Sequence, residues 1–418
     1  MKFMGFLCGR AAVLAILLSG VVAANPPVSG TSAASAKAAG PANSAAPAVK
    51  KIYPRADPPV VTDPHHLKTL YGAPAKPRFE LKDIDWPAKA GEASLCLWKD
   101  DAVAAGSIGT DDNEAYNLPA WLPLLKKYDL HSTWWLITGD IGGQGNSGTW
   151  EMWKNVFAQG HDVQSHSVCH LNTKDPKWTG KMDDEYGNSQ KAVNENVPGA
   201  RCLTLAFPGG QGQENNDPAI AAKYYIAGRG GAPFVNPANL INYSYVNATS
   251  GYTIDESKYQ GTNLMDAFDK SPQNKYYRGW WVGFSHWLHT DKPDEMALWD
   301  AKLAKIAAKV KTGELWLGLF REVCQYGQER DTAKLTVKSV AADKIVISLT
   351  DDMDDTLFDF PLTVKVRLDP GWKTAKATQG GKEAGCKVVE HDGAKYALVQ
   401  VVPDRGDAVV TAGAGEKK

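Results

Sequence analysis

Two histidines, His166 and His170, stand four residues apart in the stretch GHDVQSHSVCHLN, in a chain with only nine histidines. Imidazole nitrogens are common ligands of divalent metals, and positions i and i+4 of a helical turn face the same side. The spacing alone is weak evidence, but His166 also follows a predicted strand. Two histidines and a carboxylate would leave a tetrahedral ion one open position for water, as in catalytic zinc sites. The pattern therefore predicts a divalent metal site.

Carboxylates at the end of a second predicted strand could complete this site. The run SLCLWKDD is typical of a short buried strand that ends in Asp100 and Asp101. Neighbouring side chains point in different directions, so Asp101 is predicted to bind the metal while Asp100 acts as the general base. The other Asp-Asp pairs, at 111–112 and 351–352, stand in polar surroundings and are interpreted as solvated loop acids.

Alternating strands and helices must position these side chains. The apolar pattern predicts buried strands in ASLCLW, STWWLITG and HDVQSH, and helices in LPAWLPLLKKYDL and TWEMWKNVFAQG. This alternation indicates βαβ units and a mainly parallel sheet, in which chemistry gathers at the carboxyl ends of the strands. Two later strands also end in polar or flexible residues, LTLAFPGG and WWVGFSHWLH. Four strand ends are therefore expected to converge on one pocket.

The motifs WKDD, HSVCH and AFPGG, followed by a last strand that ends in histidine, resemble in this order the polysaccharide deacetylases of the NodB-homology type, carbohydrate esterase family 4. The resemblance covers about residues 93–330. It implies an α/β fold, a distorted (β/α) barrel of the polysaccharide deacetylase type, with a divalent metal, expected to be Zn²⁺, at the strand ends. It also implies hydrolysis of N-acetyl or O-acetyl groups from a carbohydrate.

The resemblance also implies roles for individual residues. By motif, the three metal ligands are Asp101, His166 and His170. Asp100 corresponds to the catalytic base, and the backbone N–H of Gly209 is expected to stabilise the oxyanion. His286 is assigned as the general acid that protonates the leaving group, with His289 one turn later as the alternative.

Two motifs depart from the family pattern. The first motif usually reads TFDDGP, and this chain has WKDDAV in its place. The third motif usually carries an arginine that orients the base, and Ala206 occupies that position. Lys99 and Arg229 are the two candidates to replace the arginine, although neither spacing shows such a contact.

Candidate substrate contacts lie near the same strand ends. Trp287 is next to the predicted acid and is assigned to the groove, because indoles stack well on sugar faces. Arg229 is a candidate for binding a carboxylate or sulfate of the substrate, with an ordinary surface arginine as the alternative. Pro208 and His289 complete the predicted substrate-binding set. The expected partner is an acetylated carbohydrate or glycan.

Composition and the N-terminal segment indicate the cellular location of the protein and the kinds of partner it can have. The chain has 418 residues and a formal net charge of −1, so its overall charge does not indicate nucleic acid as a partner. A short basic segment, an apolar run and small residues before Ala24 predict a signal peptide over residues 1–24, and hence a periplasmic or secreted protein. The apolar run is too short for a stable membrane anchor. Residues 25–75, rich in Ala, Pro and Ser, are predicted to be a flexible linker.

Two domains are predicted after the linker: a catalytic domain over residues 76–330 and a C-terminal antiparallel β-sandwich over 331–418. The second rests on short alternating segments such as KIVISLTD and LTVKVRLD, separated by Gly, Asp and Pro turns. Two other functions remain open. One is a non-catalytic carbohydrate-binding protein on the same fold, and the other is a metal-dependent hydrolase of a small amide.

Overall fold

A computed structural model describes residues 76–143, 145–170, 181–210 and 217–413. The predicted signal peptide, residues 1–24, and the predicted linker, residues 25–75, lie outside the described residues. Within the ranges described, no helix combines the length and the apolar character that crossing a membrane requires.

A curled parallel sheet forms the part of the molecule that carries the predicted site. The strands of the first half of the chain are β1 (Ala93–Leu95), β2 (Ala104–Thr110), β3 (Thr133–Leu136), β4 (Asp162–Ser165), β5 (Thr204–Ala206), β6 (Ala227–Arg229), β7 (Thr249–Ser250), β8 (Trp280–Ser285) and β9 (Leu315–Leu317). All except β1 belong to the parallel sheet, in the order β6-β5-β4-β3-β2-β8-β7, with β9 paired to β2 outside this path. The carboxyl ends of β2, β4, β5, β6 and β8 therefore lie along one edge.

Helices cover this sheet. They are α1 (Leu118–Lys127), α2 (Trp150–Ala158), α3 (Met182–Asn196), α4 (Asp217–Ala221), α5 (Pro293–Lys311) and α6 (Phe320–Thr332). The two helices predicted between residues 118 and 160 are confirmed as α1 and α2, and each buries a tryptophan, Trp121 and Trp153, against the core. Thr149 caps α2 by accepting a hydrogen bond from the Met152 N–H at 3.3 Å, as its side chain type favours.

Two antiparallel sheets form the C-terminal part. Their strands are β10 (Lys334–Val340), β11 (Lys344–Thr350), β12 (Leu362–Arg367), β13 (Ala375–Gln379), β14 (Lys382–Ala384), β15 (Cys386–His391), β16 (Ala394–Val401) and β17 (Ala408–Ala412). The sheets have the orders β1-β12-β16-β15 and β10-β11-β17-β13-β14. Apolar residues of both, such as Ile347 and Val399, share one core. The predicted fold class, an α/β barrel followed by an antiparallel sandwich, is confirmed.

Strand β1 does not belong to the barrel, contrary to the prediction made from ASLCLW. It pairs antiparallel with β12 of the C-terminal sheets, with Ala93 opposite Val366. The first barrel strand is instead β2, AAGSIGT, whose small residues carry little apolar signal. Small residues are required there because a Cβ on Gly109 would lie 2.8 Å from the Trp135 Nε1 atom. The WKDD motif thus stands before β2, at the wrong end of that strand for the predicted site.

Candidate active site

Strand β2 delivers a pair of aspartates, Asp111 and Asp112, to the carboxyl edge of the sheet. Asp112 and the next residue, Asn113, have φ angles of 63° and 52°, in the left-handed region that side chains rarely adopt. The Asn113 side chain holds this turn, because its Oδ1 accepts from the Ile137 N–H at 2.6 Å and its Nδ2 donates to the Ile137 carbonyl at 2.8 Å. Strained backbone persists where surrounding contacts fix it, as is common at functional sites.

Strand β4 delivers the two histidines on an irregular loop. The predicted helical turn after His166 is absent, and Ser167 and His170 instead have φ angles of 65° and 55°. This loop still places the two imidazole centroids 4.6 Å apart. The Nδ1–H of His166 donates to the Ala206 carbonyl at 2.8 Å, which fixes the ring and leaves its Nε2 lone pair free.

Asp112 completes a three-residue cluster with these histidines. Its Oδ1 atom lies 3.5 Å from the Nε2 atom of His166 and 3.5 Å from the Nε2 atom of His170. The Asp112 Oδ1 and His166 Nε2 atoms are buried and have no hydrogen-bond partner. A buried polar atom without a partner costs about 1–3 kcal/mol, so this cluster is arranged for a group that would satisfy it.

The cluster fits a divalent cation. Two ligand atoms bound at about 2.05 Å to a tetrahedral ion are about 3.3 Å apart, close to the spacing in the cluster. Two imidazole nitrogens and one carboxylate oxygen are also a ligand set that zinc accepts. Asp112, His166 and His170 would therefore hold the ion.

The protonation states of the cluster suit the same role. Burial, followed by the His166 ring, lowers the pKa of His170 from its usual 6.5 to about 4. Burial raises the pKa of Asp112, but the nearby rings of His166, His170 and His286 outweigh it and hold the pKa below its ordinary value. At neutral pH the cluster therefore offers a neutral His170 and a carboxylate, the forms that bind metal.

Asp100 and Asp101 lie elsewhere, so their predicted roles as base and metal ligand are wrong. Asp101 forms ion pairs with Lys365 at 2.5 Å and with Arg278 at 3.4 Å. Asp100 is exposed, and its Oδ1 accepts from the Gln400 Nε2 at 2.8 Å. Both acids precede β2, whose seven residues separate them by about 20 Å from the edge that carries the histidines. Asp112 takes the place predicted for Asp101.

Asp111 lies beside this cluster and makes three polar contacts through its Oδ2 atom. The Nη2 of Arg229 donates to it, and the Nε2 atoms of His286 and His166 lie 3.5 Å and 3.8 Å away. Its Oδ1 atom is buried and has no hydrogen-bond partner. Parallel pairing of Thr110 with Ser285 brings Asp111 and His286 together, because each is the next residue along its chain.

The predicted role of Arg229 as a substrate contact is contradicted by its position in the structure. Its side chain is 1% exposed, its guanidinium lies over the Phe284 ring at 4.3 Å from the centroid, and its charge is paired with Asp111. It is therefore not available to bind a carboxylate or sulfate of a polymer. Of the two candidates considered for the missing arginine, Lys99 lies instead over the Phe360 ring. Arg229 contacts Asp111 from β6, the strand next to β5, where Ala206 occupies the place of the motif's usual arginine.

The remaining predicted residues lie around the cluster with different exposures. Pro208 is buried at the start of a 3₁₀ turn after β5, so it offers little surface for a substrate contact. Gly209, in the same turn, is exposed. Trp287 is 59% exposed and has a φ of 32°, and His289 has a φ of 47°. Trp287 and His289 line a cleft of about 430 Å³ together with Asp112 and His286.

The curled parallel sheet carries this side-chain cluster at the carboxyl ends of its strands. Residues 107–225 match the family model described as polysaccharide deacetylase. Residues 107–225 therefore form a polysaccharide deacetylase domain, the family that the sequence motifs resemble. The matched range contains Asp111, Asp112 and both cluster histidines, and it begins after Asp101.

Similar proteins include one curated relative and several solved structures. A Bacillus protein named gellan lyase is 34% identical over 356 residues, which cover 81% of this chain and 14% of that protein. This chain therefore spans about a seventh of the length of that relative. A deacetylase of Streptococcus pyogenes is 24% identical, with a TM-score of 0.30 and coverage of 34% of this chain and 62% of that one. A family 4 acetyl xylan esterase of Clostridium thermocellum is 13% identical, with a TM-score of 0.33 and coverage of 52% and 89%.

Proposed function

We propose that this protein is a metal-dependent deacetylase that hydrolyses N-acetyl or O-acetyl groups of a polysaccharide. The observation that carries the proposal is the convergence of the Asp112–His166–His170 cluster with Asp111 and His286 at one edge of the sheet. A binding protein without catalysis would not require the paired carboxylates and the third histidine. The earlier assignment of the base and one ligand moves from Asp100 and Asp101 to Asp111 and Asp112.

Asp111 is the proposed general base. Arg229 neutralises and orients its Oδ2 atom, while Oδ1 has no hydrogen-bond partner and faces no competing donor among the described residues. The free oxygen can therefore take the proton of a water molecule as that water attacks the acetyl carbon. Arg229 acts as a positioning residue, since it contacts Asp111 and is too buried to reach a polymer.

His286 is the proposed general acid, and its side chain is 34% exposed at the cleft. A histidine there can donate a proton to the leaving amine or alcohol, so that acetate and a free sugar amine or hydroxyl result. The backbone N–H of Gly209, on the turn after β5, is the proposed donor to the oxyanion of the tetrahedral intermediate. Such a donor typically contributes about 3–4 kcal/mol.

A divalent cation held by Asp112, His166 and His170 would supply Lewis acidity toward the water and the acetyl carbonyl. Zinc is the proposed ion, because two imidazoles and a carboxylate match its preferences. The experiment for the whole proposal measures acetate release from a panel of N- and O-acetylated glycans, with metal-free protein and after addition of zinc. Release that requires zinc supports the proposal. Absence of release from every glycan, by protein that binds zinc, would favour a small amide as the substrate.

A polysaccharide is the proposed substrate class. The aromatic Trp287 stands exposed at the cleft, where its indole can stack on a sugar ring. The name of the Bacillus relative refers to a polysaccharide, gellan, which supports the same class without defining the sugar. The proposal includes export of the protein, because the enzyme must leave the cell to reach a polysaccharide that lies outside it. The predicted signal peptide over residues 1–24 supports it.

Replacing Arg229 by lysine should lower kcat by about 10- to 100-fold with little change in KM. Lysine keeps the charge but loses the planar guanidinium that orients Asp111, and orienting groups of this kind contribute about that much. Kinetics on the glycan found in the panel provide the measurement.

Arg321→Lys is the matched control, because Arg321 also pairs with a buried acid, Asp162, at the opposite end of β4. We expect this control to lower the melting temperature and leave kcat unchanged. An unchanged kcat in Arg229→Lys as well would remove the positioning role.

Replacing Trp287 by alanine should raise KM for an acetylated oligosaccharide by about 3- to 10-fold, the effect expected for losing one aromatic stacking contact. A small acetyl ester such as 4-nitrophenyl acetate has no sugar to stack, so its hydrolysis should be unaffected. Tyr259→Ala is the control, because Tyr259 is 66% exposed and does not line the cleft. Equal effects of Trp287→Ala on both substrates would argue against a sugar platform.

A further inference from the structure

The loop between the two cluster histidines is held from two sides. On one side, the main chain after β3 binds its carbonyls, because the Thr138 N–H donates to the Ser167 carbonyl at 3.1 Å and the Gly139 N–H to the Val168 carbonyl at 2.8 Å. On the other side, the loop turns two consecutive amide groups, those of Val168 and Cys169, toward helix α3. Amide groups that are shielded from water need acceptors in the protein, and for these two part-buried amides the acceptor lies on α3.

That acceptor is Glu185, in the first turn of α3. Its Oε2 atom accepts from the Val168 N–H at 3.1 Å and from the Cys169 N–H at 2.8 Å. Inside the loop, the Ser167 hydroxyl oxygen accepts from the His170 N–H at 3.0 Å. One side chain on a helix therefore fixes the two residues that directly precede His170.

The positions of His166 and His170 depend to different degrees on the contact of Glu185 with the loop. His166 follows β4 directly, its N–H donates to the Leu136 carbonyl at 2.8 Å, and its ring is bound to Ala206. His170 has no strand to hold it and has a φ of 55°. Residues in this conformation keep it only while surrounding contacts impose it. Loss of this contact should therefore displace His170 and leave His166 in place.

We propose that Glu185 is a positioning residue for the metal site, acting through the Val168 and Cys169 amides to set the place of His170. This inference rests on the proposed metal-dependent function, but it concerns a residue outside the motifs of the family. Nothing in the WKDD, HSVCH or AFPGG motifs points to it, because Glu185 stands fifteen residues after His170 in a helix of its own.

Cobalt binding tests the inference without relying on activity. Metal-free wild type, Glu185→Ala and Glu185→Gln are titrated with Co²⁺, and the visible absorption bands of the bound ion report its coordination. We expect Glu185→Ala to bind cobalt about 10- to 100-fold more weakly, with altered bands, as is usual when an outer partner of a ligand is lost. Glu185→Gln keeps an oxygen acceptor for the two amides and should restore both the affinity and the bands.

Glu195→Ala is the control on the same helix, because the Glu195 side chain is half exposed and its one ion pair among the described residues is with Lys191, at 3.7 Å. It should bind cobalt as the wild type does. Should Glu185→Ala fail to fold, Glu185→Asp gives the same test, since its shorter side chain withdraws the acceptor from the amides. Wild-type affinity and bands in Glu185→Ala, or an equal loss in Glu185→Gln, would overturn the positioning role. A wild type that binds no cobalt would overturn the proposed metal site itself.

Discussion

Asp111→Asn should lower the rate of acetate release by about 10³-fold while the protein still binds zinc. The substitution keeps the shape of the side chain but removes its ability to take a proton, and a general base contributes about 10²- to 10⁴-fold. The metal ligands are unchanged, so the stoichiometry of bound zinc should remain that of the wild type. Acetate release on the glycan identified in the panel, with metal analysis of the same samples, gives both quantities.

Asp100→Asn is the matched control for that experiment. The Asp100 side chain is exposed and its contact is with Gln400, so we expect wild-type rates. Asp111→Asn should also lower the melting temperature, because it weakens the buried pairing with Arg229. A large loss of activity in Asp100→Asn, with Asp111→Asn active, would reverse the assignment of the base.

Asp112→Asn should abolish zinc binding at micromolar concentrations and activity with it. A neutral amide replaces the one anionic ligand of the cluster, whose Oδ1 lies 3.5 Å from both histidine nitrogens. Loss of a direct ligand should exceed the 10- to 100-fold loss typical of an outer partner, so we expect an affinity loss of more than about 100-fold. Isothermal titration of the metal-free protein with zinc measures it.

Asp101→Asn separates stability from metal binding. It leaves two buried cations, Lys365 and Arg278, with a weakened partner, so the free energy of unfolding should fall by about 3 kcal/mol. Its zinc affinity should equal that of the wild type at a temperature where the variant is folded. Zinc binding that survives in Asp112→Asn and disappears in Asp101→Asn would contradict the site described above.

Sequence patterns predicted the scaffold and half of the site. Periodicity identified the helices α1 and α2 and most strands because apolar faces repeat where they are buried. His166 and His170 were identified as a pair because they stand four residues apart at the end of a predicted strand. His286 and Trp287 followed from the strand that precedes them. These are local signals, each contained in a few neighbouring residues.

The errors came from properties that are not local. Strand β2 contains small residues because Trp135 occupies the space beside Gly109 and Leu315 and Leu317 the space beside Gly106, and that packing is not visible in the sequence of β2 itself. Its weak signal made WKDD, which follows an apolar strand, a better candidate than the acids of GTDD. The contact of Arg229 with Asp111 joins residues 118 positions apart and leaves no pattern in the sequence. Glu185 was missed for the same reason.

The pairing of β1 with β12 has a consequence for the order in which the strands can pair during folding. β1 is synthesised before the other described strands but pairs with β12, and Asp100 contacts Gln400, 300 positions later in the sequence. During synthesis the barrel strands emerge while β1 still lacks its partner. Contacts of such long range close slowly, because the entropy of loop closure must be offset before they form. Strand β1 can therefore be fixed in place only after the C-terminal sheets have formed. A chain that ended after α6 would lack β12, the strand with which β1 pairs.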